Sequence, residues 1–368
     1  MKIPLYRPYI NSNIFGAVAR VMESRKLSRG KEVEDFESEF ARYVGKKYAI
    51  AVNSGTSGLH LVVRALGWTI TDEVITTPFS YIASANALLF ENVTPVFVDI
   101  DLRTLNIDPG KIEKKISRKT RGLLLVHVFG LPVNYPLINR IREKYDLRII
   151  EDACEAIGKP DDNFIVTKLG DATVYSFHEN KQLTTAGEGG MIVTDDQNIA
   201  KKCWSMRDQG RSLEKDWLNN VILGFNFRMT EAQAAFGRAQ LEIIDEMLNK
   251  RARIADRYFE SLKDMAALML PDPQATAKRS WFLYFVIFKS PVIRNIVYDL
   301  LNRSGIGSSI TYFPPIYQFP MYKDYKANCE NTEYVSARLL ALPMFYEMTN
   351  EQIDQVVSVI KRALKMDL

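Results

Sequence analysis

The sequence predicts an α/β protein in which helices cover both faces of a sheet, followed by a smaller C-terminal α+β domain. Three observations carry this prediction. Seven short apolar segments alternate with helical or loop connections between residues 48 and 194. A strand, a glycine-containing turn and an amphipathic helix follow one another directly at residues 48–66. Beyond residue 230, helical patterns flank one further apolar strand, with no repeat or low-complexity linker.

Size and composition are those of an ordinary folded protein. The 368 residues are enough for a large core and for two domains, predicted as residues 1–240 and 241–368. Apolar residues make up 47% of the chain and charged residues 25%, as in soluble globular proteins. The formal charge of +4 is spread along the chain, which argues against a nucleic-acid partner.

No targeting signal, membrane span or metal site is expected. The first ten residues lack an apolar h-region. The longest apolar run, residues 123–133, is too short to span a bilayer and contains His127 and Pro132. Three widely separated cysteines have no metal-ligand spacing and suit a reducing compartment. The sequence therefore predicts a cytoplasmic protein without a membrane partner, and His127 is interpreted as a packed, hydrogen-bonded residue.

The strands of the large sheet are identified by β-forming runs that end at polar or glycine residues. They are Tyr48–Val52, Val74–Thr77, Pro95–Ile100, Gly122–Val128, Leu147–Ile150, Ala172–Phe177 and Met191–Thr194. A charged amphipathic helix is predicted at Lys31–Tyr43. A second helix buries one face, because apolar residues recur at i, i+3, i+4 and i+7 from Leu59.

The C-terminal part begins with a long helix. Thr230 and Gln233 form a capping-box pattern at its start. One apolar stripe then runs down this helix through Phe236, Ala239, Ile243 and Met247. A strand at Trp281–Phe288 and a helix at Val292–Ser304 follow.

Two groups that follow strands are candidates for chemistry. Lys181 lies just beyond the strand Ala172–Phe177, where an open α/β sheet places its ligands, and a deprotonated lysine there can form a Schiff base. Asp152 directly follows the strand Leu147–Ile150. Each residue also has an ordinary interpretation, since most lysines are solvated at the surface and an aspartate after a strand is often a helix N-cap.

A third candidate is an anion site at residues 53–58. The strand Tyr48–Val52 leads through Ser54, Gly55, Thr56 and Ser57 into a helix. Free N–H groups and the positive dipole end of a helix favour a phosphate there, and the hydroxyl groups add donors. A turn of this kind is also commonly a plain helix cap.

Together these segments resemble the DegT/DnrJ/EryC1/StrS family of sugar aminotransferases, which use pyridoxal phosphate. The resemblance covers nearly the whole chain and rests on motifs in the family's order. They are Ser54-Gly55-Thr56, the run from Pro78 to Asn86, the run from Glu151 to Glu155, Lys181 with the glycine-rich turn 187–190, and Gly224 to Thr230. The resemblance implies the aspartate aminotransferase type of fold, fold type I, with a mainly parallel seven-stranded sheet.

The resemblance also implies a role for each candidate residue. Lys181 would carry pyridoxal phosphate and transfer protons, and Asp152 would keep a proton on the ring nitrogen. Tyr81 would stack on the ring, unless it is simply a core aromatic. The phosphate would be held by the backbone and hydroxyl groups of Ser54, Gly55, Thr56, Ser57 and Ser176.

Further residues are assigned to the substrates and to a second chain. The resemblance implies that Asn226 reaches the phosphate of a partner subunit in a homodimer, although an ordinary turn before a helix would also explain it. Tyr312 and His178 are assigned to the substrate pocket, and His178 is equally interpreted as a packing residue. The implied substrates are L-glutamate as amino donor and a nucleotide-linked keto-sugar as acceptor.

Two departures from the family pattern affect the site. Glu155 stands where many relatives have glutamine close to the ring hydroxyl, so it adds negative charge beside the cofactor unless it is protonated or paired. The segment from Lys181 to Glu188 is one residue longer than is usual, with the insertion at Ala186. We expect the insertion to reshape the turn and to leave Lys181 in place.

Two other functions fit the same motifs. A relative that dehydrates or deoxygenates a sugar with the same cofactor is the first alternative; one such branch replaces the lysine by histidine, and Lys181 argues against that branch only. A cofactor-binding regulator without turnover is the second. The complete set of lysine, aspartate and phosphate-binding groups favours an enzyme.

Overall fold

The computed structural model describes residues 2–159, 166–213, 219–272 and 279–366. Seven strands form one sheet. They are β1 (Tyr48–Val52), β2 (Glu73–Thr76), β3 (Thr94–Phe97), β4 (Thr120–Val126), β5 (Arg148–Asp152), β6 (Ala172–Ser176) and β7 (Gly190–Thr194). Their order is β1-β7-β6-β5-β4-β2-β3. Only β7 runs antiparallel to its neighbours, so the predicted mainly parallel seven-stranded sheet is confirmed.

Helices pack on both faces of this sheet. The helices of this part are α1 (Ser12–Ser24), α2 (Lys31–Tyr43), α3 (Gly55–Leu66), α4 (Ala83–Leu89), α5 (Pro109–Ile112), α6 (Tyr135–Tyr145), α7 (Gln197–Arg207) and α8 (Glu231–Leu241). Of these, α1 packs against α8. On β1, Ile50 and Val52 belong to the core shared with α3 and α7, whereas Ala49 and Ala51 belong to the core shared with α2. Alternate residues of a strand point to opposite faces, so both faces are buried.

A second, antiparallel sheet lies in the C-terminal part. It consists of β8 (Leu268–Met269), β9 (Tyr284–Phe288) and β10 (Leu339–Leu342), with β9 in the centre. The helices here are α9 (Ile244–Leu262), α10 (Pro291–Arg303), α11 (Glu330–Ser336) and α12 (Asn350–Met366). Ile3, near the N-terminus, pairs with Ile306 and joins this second core. The predicted domain boundary at residue 240 stays a prediction.

Several predicted elements differ from the structure at their ends, for example the strand predicted at Pro95–Ile100, which ends at Phe97, and two further differences have a clear physical cause. The prediction of a single long helix is wrong, because the chain leaves helical geometry at Ile243 (φ −113, ψ 7) and a new helix, α9, begins at Ile244. Two consecutive β-branched residues, which have low helix propensity, stand at this break. The strand predicted at Trp281–Phe288 begins at Tyr284, since Trp281 has a positive φ of 53° that an extended strand does not allow. In the described parts of the chain, no helix is long and apolar enough to cross a bilayer.

Candidate active site

One cavity of about 530 Å³ opens where β4, β5 and β6 end. It collects most of the residues that the sequence singles out, because the carboxyl ends of parallel strands meet at one edge of a sheet. Those that line it are Ser54, Gly55, Thr56, Tyr81, Asp152, Glu155, Ser176, His178 and Lys181. Ser57 lies just behind the wall, and Tyr312 lines an adjoining cavity. Asn226 lines neither of the two cavities.

Asp152 is held as a buried carboxylate at the last position of β5. Its side chain accepts a hydrogen bond from the Ser84 hydroxyl at 2.7 Å and from the Cys154 backbone N–H at 3.1 Å. Ser84 in turn exchanges a hydrogen bond with the Ser80 hydroxyl at 2.8 Å. Asp152 therefore does not cap a helix. Its carboxylate is a hydrogen-bond acceptor that two donors hold in place, and it faces the cavity. The part that Ser84 plays was missed from sequence, although the motif containing it was recognised.

Glu151, the neighbour of Asp152, holds residues 167–170, which precede β6. It is fully buried and accepts hydrogen bonds from the backbone N–H groups of Thr167, Leu169 and Gly170. Although burial opposes ionisation, the hydrogen bonds from His127 and Tyr135 lower the pKa of Glu151. His127 is thus a packed, hydrogen-bonded residue, as predicted.

Lys181 lies in a turn just beyond β6. Its backbone N–H donates to the carbonyl oxygen of His178 at 2.9 Å, which closes the turn. Its ammonium nitrogen lies 4.1 Å from the centre of the Phe282 ring. The lysine side chain therefore packs against the protein and lines the same cavity as Asp152. Phe282 was not predicted, since it comes from a segment distant in sequence.

The N-terminus of α3 forms one end of the cavity wall. Ser54 caps this helix, and its hydroxyl accepts a hydrogen bond from the Ser57 N–H at 3.1 Å. A Cβ added at Gly55 would lie 2.8 Å from the Cys154 sulfur and 3.0 Å from the Ser176 Cβ. Glycine therefore lets the helix start close against β6, which brings the Ser176 hydroxyl beside the free N–H groups of the first turn.

The residues at this end fit a phosphorylated cofactor. Hydroxyl groups and helix N-terminal N–H groups are the donors that a phosphate prefers. The side-chain oxygen of Asn53, which also lines the cavity, is buried without a hydrogen-bond partner among the described residues. A buried polar atom of this kind indicates a missing ligand or water. Asn53 was missed from sequence, because nothing in the local pattern distinguishes it from a turn residue.

The side chain of Tyr81 lines the cavity. It is 66% exposed, while Phe79, two residues earlier, is completely buried and packs in the core. The alternative that Tyr81 is simply a core aromatic is therefore wrong. Stacking on a cofactor ring stays a prediction that this exposure permits.

Glu155 is a buried carboxyl group of the cavity wall. Burial raises the pKa of the Glu155 carboxyl to about 7, and the nearby Lys181 ammonium opposes that shift. One carboxylate oxygen accepts a hydrogen bond from the Phe129 N–H at 2.7 Å, and the other accepts one from the Tyr312 hydroxyl. The negative charge expected at this position is thus stabilised by two hydrogen-bond donors. Near pH 7, protonation of the Glu155 carboxyl also neutralises part of it.

The adjoining cavity has a volume of about 200 Å³ and shares Tyr81, Glu155, Asn180 and Lys181 with the first. Its remaining wall comes from the C-terminal part and the N-terminal segment. These residues are Leu5, Tyr6, Phe282, Leu283, Ser309, Thr311, Tyr312, Ala341 and Met344. Space is therefore available for a substrate next to Lys181, and Tyr312, which the resemblance assigns to the substrate pocket, lines this space.

Asn226 and His178 lie at the margins. Phe225 and Phe227 pack their rings on His60 of α3, and Asn226 between them is exposed. His178 lines the cavity, with its Nδ1 2.9 Å from the Asn180 side-chain oxygen. No group of His, Cys, Asp and Glu side chains in the described ranges could hold a metal ion.

Fold and cavity define an α/β protein whose ligand site lies at the carboxyl ends of its strands. The chain belongs to the DegT/DnrJ/EryC1/StrS aminotransferase family, which residues 8–361 match. The resemblance found in the sequence is thereby confirmed. GDP-perosamine synthase of Caulobacter vibrioides is 34% identical over 368 residues, covering 99% of this chain and 98% of that protein.

Two solved structures extend the comparison. The crystal structure of NtdA from Bacillus subtilis with bound cofactor PMP is 30% identical, has a TM-score of 0.89, and is matched over 96% of this chain and 81% of that one. The Escherichia coli GDP-4-keto-6-deoxy-D-mannose-3-dehydratase with bound hydrated PLP is 27% identical, with a TM-score of 0.90 over 97% and 99% of the chains. The family is thus named for aminotransferases, and a structure similar to this chain is named as a dehydratase.

Proposed function

We propose that this protein is a pyridoxal phosphate-dependent aminotransferase of fold type I. It moves an amino group from an amino acid, L-glutamate, to the ketone of a nucleotide-linked sugar. The observation that carries the proposal is the convergence of Lys181, Asp152 and the N-terminus of α3 on one cavity. A relative named GDP-perosamine synthase supports a nucleotide-linked sugar as the acceptor.

Asp152 serves the ring end of the cavity. When it is bound, pyridoxal phosphate supplies an electron sink through its protonated pyridine ring. A buried carboxylate opposite the ring nitrogen favours the protonated form of that nitrogen, because opposite charges attract strongly where water is excluded. The Ser84 hydroxyl and the Cys154 N–H hold the Asp152 oxygens in place for this contact.

Lys181 serves the reacting centre. Its amine would hold the cofactor and, when free, would act as the base that takes a proton from the substrate carbon and as the acid that gives a proton back. The Phe282 ring, 4.1 Å from the nitrogen, limits where the side chain can lie. Positioning of a base near its proton is the first requirement for general acid–base catalysis.

The phosphate end is served by α3 and β6. Backbone N–H groups of the turn that Ser54, Gly55 and Thr56 form, together with the Ser176 hydroxyl, donate to the phosphate oxygens. Ser57 acts indirectly, because its hydroxyl exchanges a hydrogen bond of 2.9 Å with Ser54. Tyr81 covers one face of the ring, where apolar burial and offset stacking both contribute.

The active unit in this proposal is a homodimer. Asn226 is exposed and lines neither cavity of its own chain, so a contact with the phosphate requires a second copy. Phe225 and Phe227, anchored on His60, fix the strand-like segment that presents Asn226 outward. The exposed apolar residues Val221 and Leu223, 58% and 72% accessible, favour burial of this surface.

The experiment uses the cofactor-loaded protein and L-glutamate. We expect 2-oxoglutarate to form once per active site, with a shift of the cofactor absorbance, and then continuously when GDP-, UDP- or dTDP-linked keto-sugars are added. The exposed residue Lys201 provides a matched control, since Lys201→Ala keeps this activity. Consumption of the sugar without 2-oxoglutarate would favour the dehydratase, and neither product would favour the regulator.

A further inference from the structure

Two aromatic residues beside the second cavity adopt an unusual backbone conformation. Phe129 (φ 51, ψ 30) and Tyr312 (φ 58) both lie in the left-handed region. This region is unfavourable for a residue with a large side chain, so surrounding contacts must hold it there. The two rings stack on one another, with centroids 5.4 Å apart and planes inclined by 7°.

One carboxylate joins both strained residues. Glu155 is only 4% exposed, and one of its oxygens accepts from the Phe129 backbone N–H at 2.7 Å. Its other oxygen accepts from the Tyr312 hydroxyl. From the far side, the Arg279 guanidinium donates to the Phe129 carbonyl oxygen at 3.2 Å. The segment around Phe129 is therefore held at both its N–H and its carbonyl group.

The same carboxylate faces the reacting centre. Glu155 and Lys181 line both cavities, whereas Tyr312 lines only the second. The other charged or titratable groups that act on Glu155 are Lys181, Asp152 and Arg279, and the Cys154 thiol lies beside it. The ring of Phe79 packs edge to face against the ring of Tyr312, with 5.2 Å between the ring centres.

We propose that Glu155 is a positioning residue: its carboxylate holds Phe129 and Tyr312 in their strained conformations and so fixes the wall of the second cavity beside Lys181. The occupant of that cavity is the keto-sugar, an assignment that rests on the proposed function. A glutamate suits this task because both oxygens act as acceptors. A glutamine would accept from the Phe129 N–H with its oxygen and would donate its NH₂ to the Tyr312 hydroxyl, so the tyrosine contact would reverse its direction and both contacts would lose the negative charge that strengthens them.

The test compares Glu155→Gln, Tyr312→Phe and the double variant, in the cofactor-loaded protein. Tyr317→Phe is the matched control, because its hydroxyl donates to Glu333 at 2.6 Å and it lines neither cavity. Two readouts are needed. Amide hydrogen exchange of residues 309–313 reports the position of Tyr312 without turnover, and steady-state kinetics separate KM for the keto-sugar from kcat.

We expect faster exchange at residues 309–313 in both single variants, with Tyr317→Phe unchanged there. KM for the keto-sugar should rise about tenfold in each, as for the loss of one charge-assisted hydrogen bond, with kcat within about threefold. The double variant should be no worse than the worse single variant. Additive losses, or unchanged exchange, would overturn the proposal. If the wild-type protein transfers no amino group, the proposed function fails, and the exchange result alone decides the role of Glu155.

Discussion

At the scale of single residues, the buried pair of Ser84 and Asp152 is the most direct link between packing and chemistry. The Ser84 hydroxyl donates to Asp152 at 2.7 Å, and both residues are buried. We predict that Ser84→Ala lowers kcat/KM about tenfold, because the carboxylate loses a fixed donor and becomes free to turn. Steady-state kinetics with L-glutamate measure the loss.

Ser205→Ala is the control for that substitution. Ser205 is buried too, and its hydroxyl has no hydrogen-bond partner in the part of the chain that the structure describes. It should leave kcat/KM unchanged. Equal losses in the two variants would show that Ser84 contributes packing and not orientation of Asp152.

Glu155 also predicts a dependence of stability on pH. Burial raises its pKa from an ordinary 4.5 to about 7 in the folded protein. Between these values the folded state holds a proton that the unfolded state has lost. The stabilisation is therefore complete below pH 4.5 and disappears as the pH rises through about 7. The full difference is about 3 kcal/mol, at 1.4 kcal/mol per pKa unit.

Glu155→Gln removes this titration. We predict that wild-type stability falls by up to about 3 kcal/mol relative to the variant between pH 4.5 and pH 8. Urea unfolding of the cofactor-free proteins at both pH values measures it. The exposed residue Glu242 supplies the control, since Glu242→Gln should follow the wild-type curve. Parallel curves for wild type and Glu155→Gln would contradict the assignment of the titrating group.

At the scale of elements, the start of α3 against β6 determines the phosphate end of the site. A methyl group at residue 55 meets the Cys154 sulfur at 2.8 Å and the Ser176 Cβ at 3.0 Å. We predict that Gly55→Ala moves the helix terminus away from β6, weakens pyridoxal phosphate binding about tenfold or more, and destabilises the fold by roughly 1–3 kcal/mol. Cofactor titration and thermal unfolding measure the two effects.

Gly16→Ala tests whether any added methyl group does the same. Gly16 lies within α1, and a Cβ there has the end of the Arg20 side chain as its nearest contact, at 3.6 Å. Alanine should stabilise that helix by roughly 0.5–1 kcal/mol and leave cofactor binding unchanged. Unaltered cofactor affinity in Gly55→Ala would refute the predicted role of this turn.

Strands were more predictable from sequence than helix breaks. Apolar runs such as Tyr48–Val52 keep their bounds in the structure, because burial on both faces leaves a continuous apolar signal. The break at Ile243 was not predicted, since the apolar stripe continues across it and only the backbone angles reveal it. An apolar stripe indicates which residues face a core. It does not indicate whether these residues lie on one continuous helix or on two.

The site was predictable where it depends on strand ends. Lys181 and Asp152 follow neighbouring parallel strands, whose carboxyl ends lie at one edge by necessity. The contacts of Ser84, Asn53 and Phe282 were not predictable, because each depends on how separate segments pack. The link from Glu155 to Tyr312 joins residues 157 positions apart, and no local pattern encodes it.

At the scale of the whole molecule, the proposed dimer makes a prediction that one chain alone cannot satisfy. Lys181 and the phosphate-binding Asn226 of one active site would come from different subunits. Lys181→Ala and Asn226→Ala homodimers should therefore both be strongly impaired. Dissociating and mixing them should restore roughly a quarter of wild-type activity, since half the dimers are mixed and each has one intact site. The activity of the mixture, compared with the activity of either variant alone, shows whether the active site is shared between subunits.

The opposite arrangement gives a different result. If Asn226 acted within its own chain, every site in a mixed dimer would carry one defect. Mixing would then restore nothing. Persistence of full activity in a monomeric form of the protein would equally contradict a shared site.

The central claim is that the Lys181 amine carries the cofactor, and chemical trapping tests it most directly. Borohydride reduction of the loaded protein makes a lysine–cofactor bond permanent, and peptide mass spectrometry then locates it. We predict the pyridoxyl phosphate mass on Lys181, and its loss, together with a fall in turnover of at least about a thousandfold, in Lys181→Ala. A label on another lysine, or normal turnover in that variant, would contradict the account.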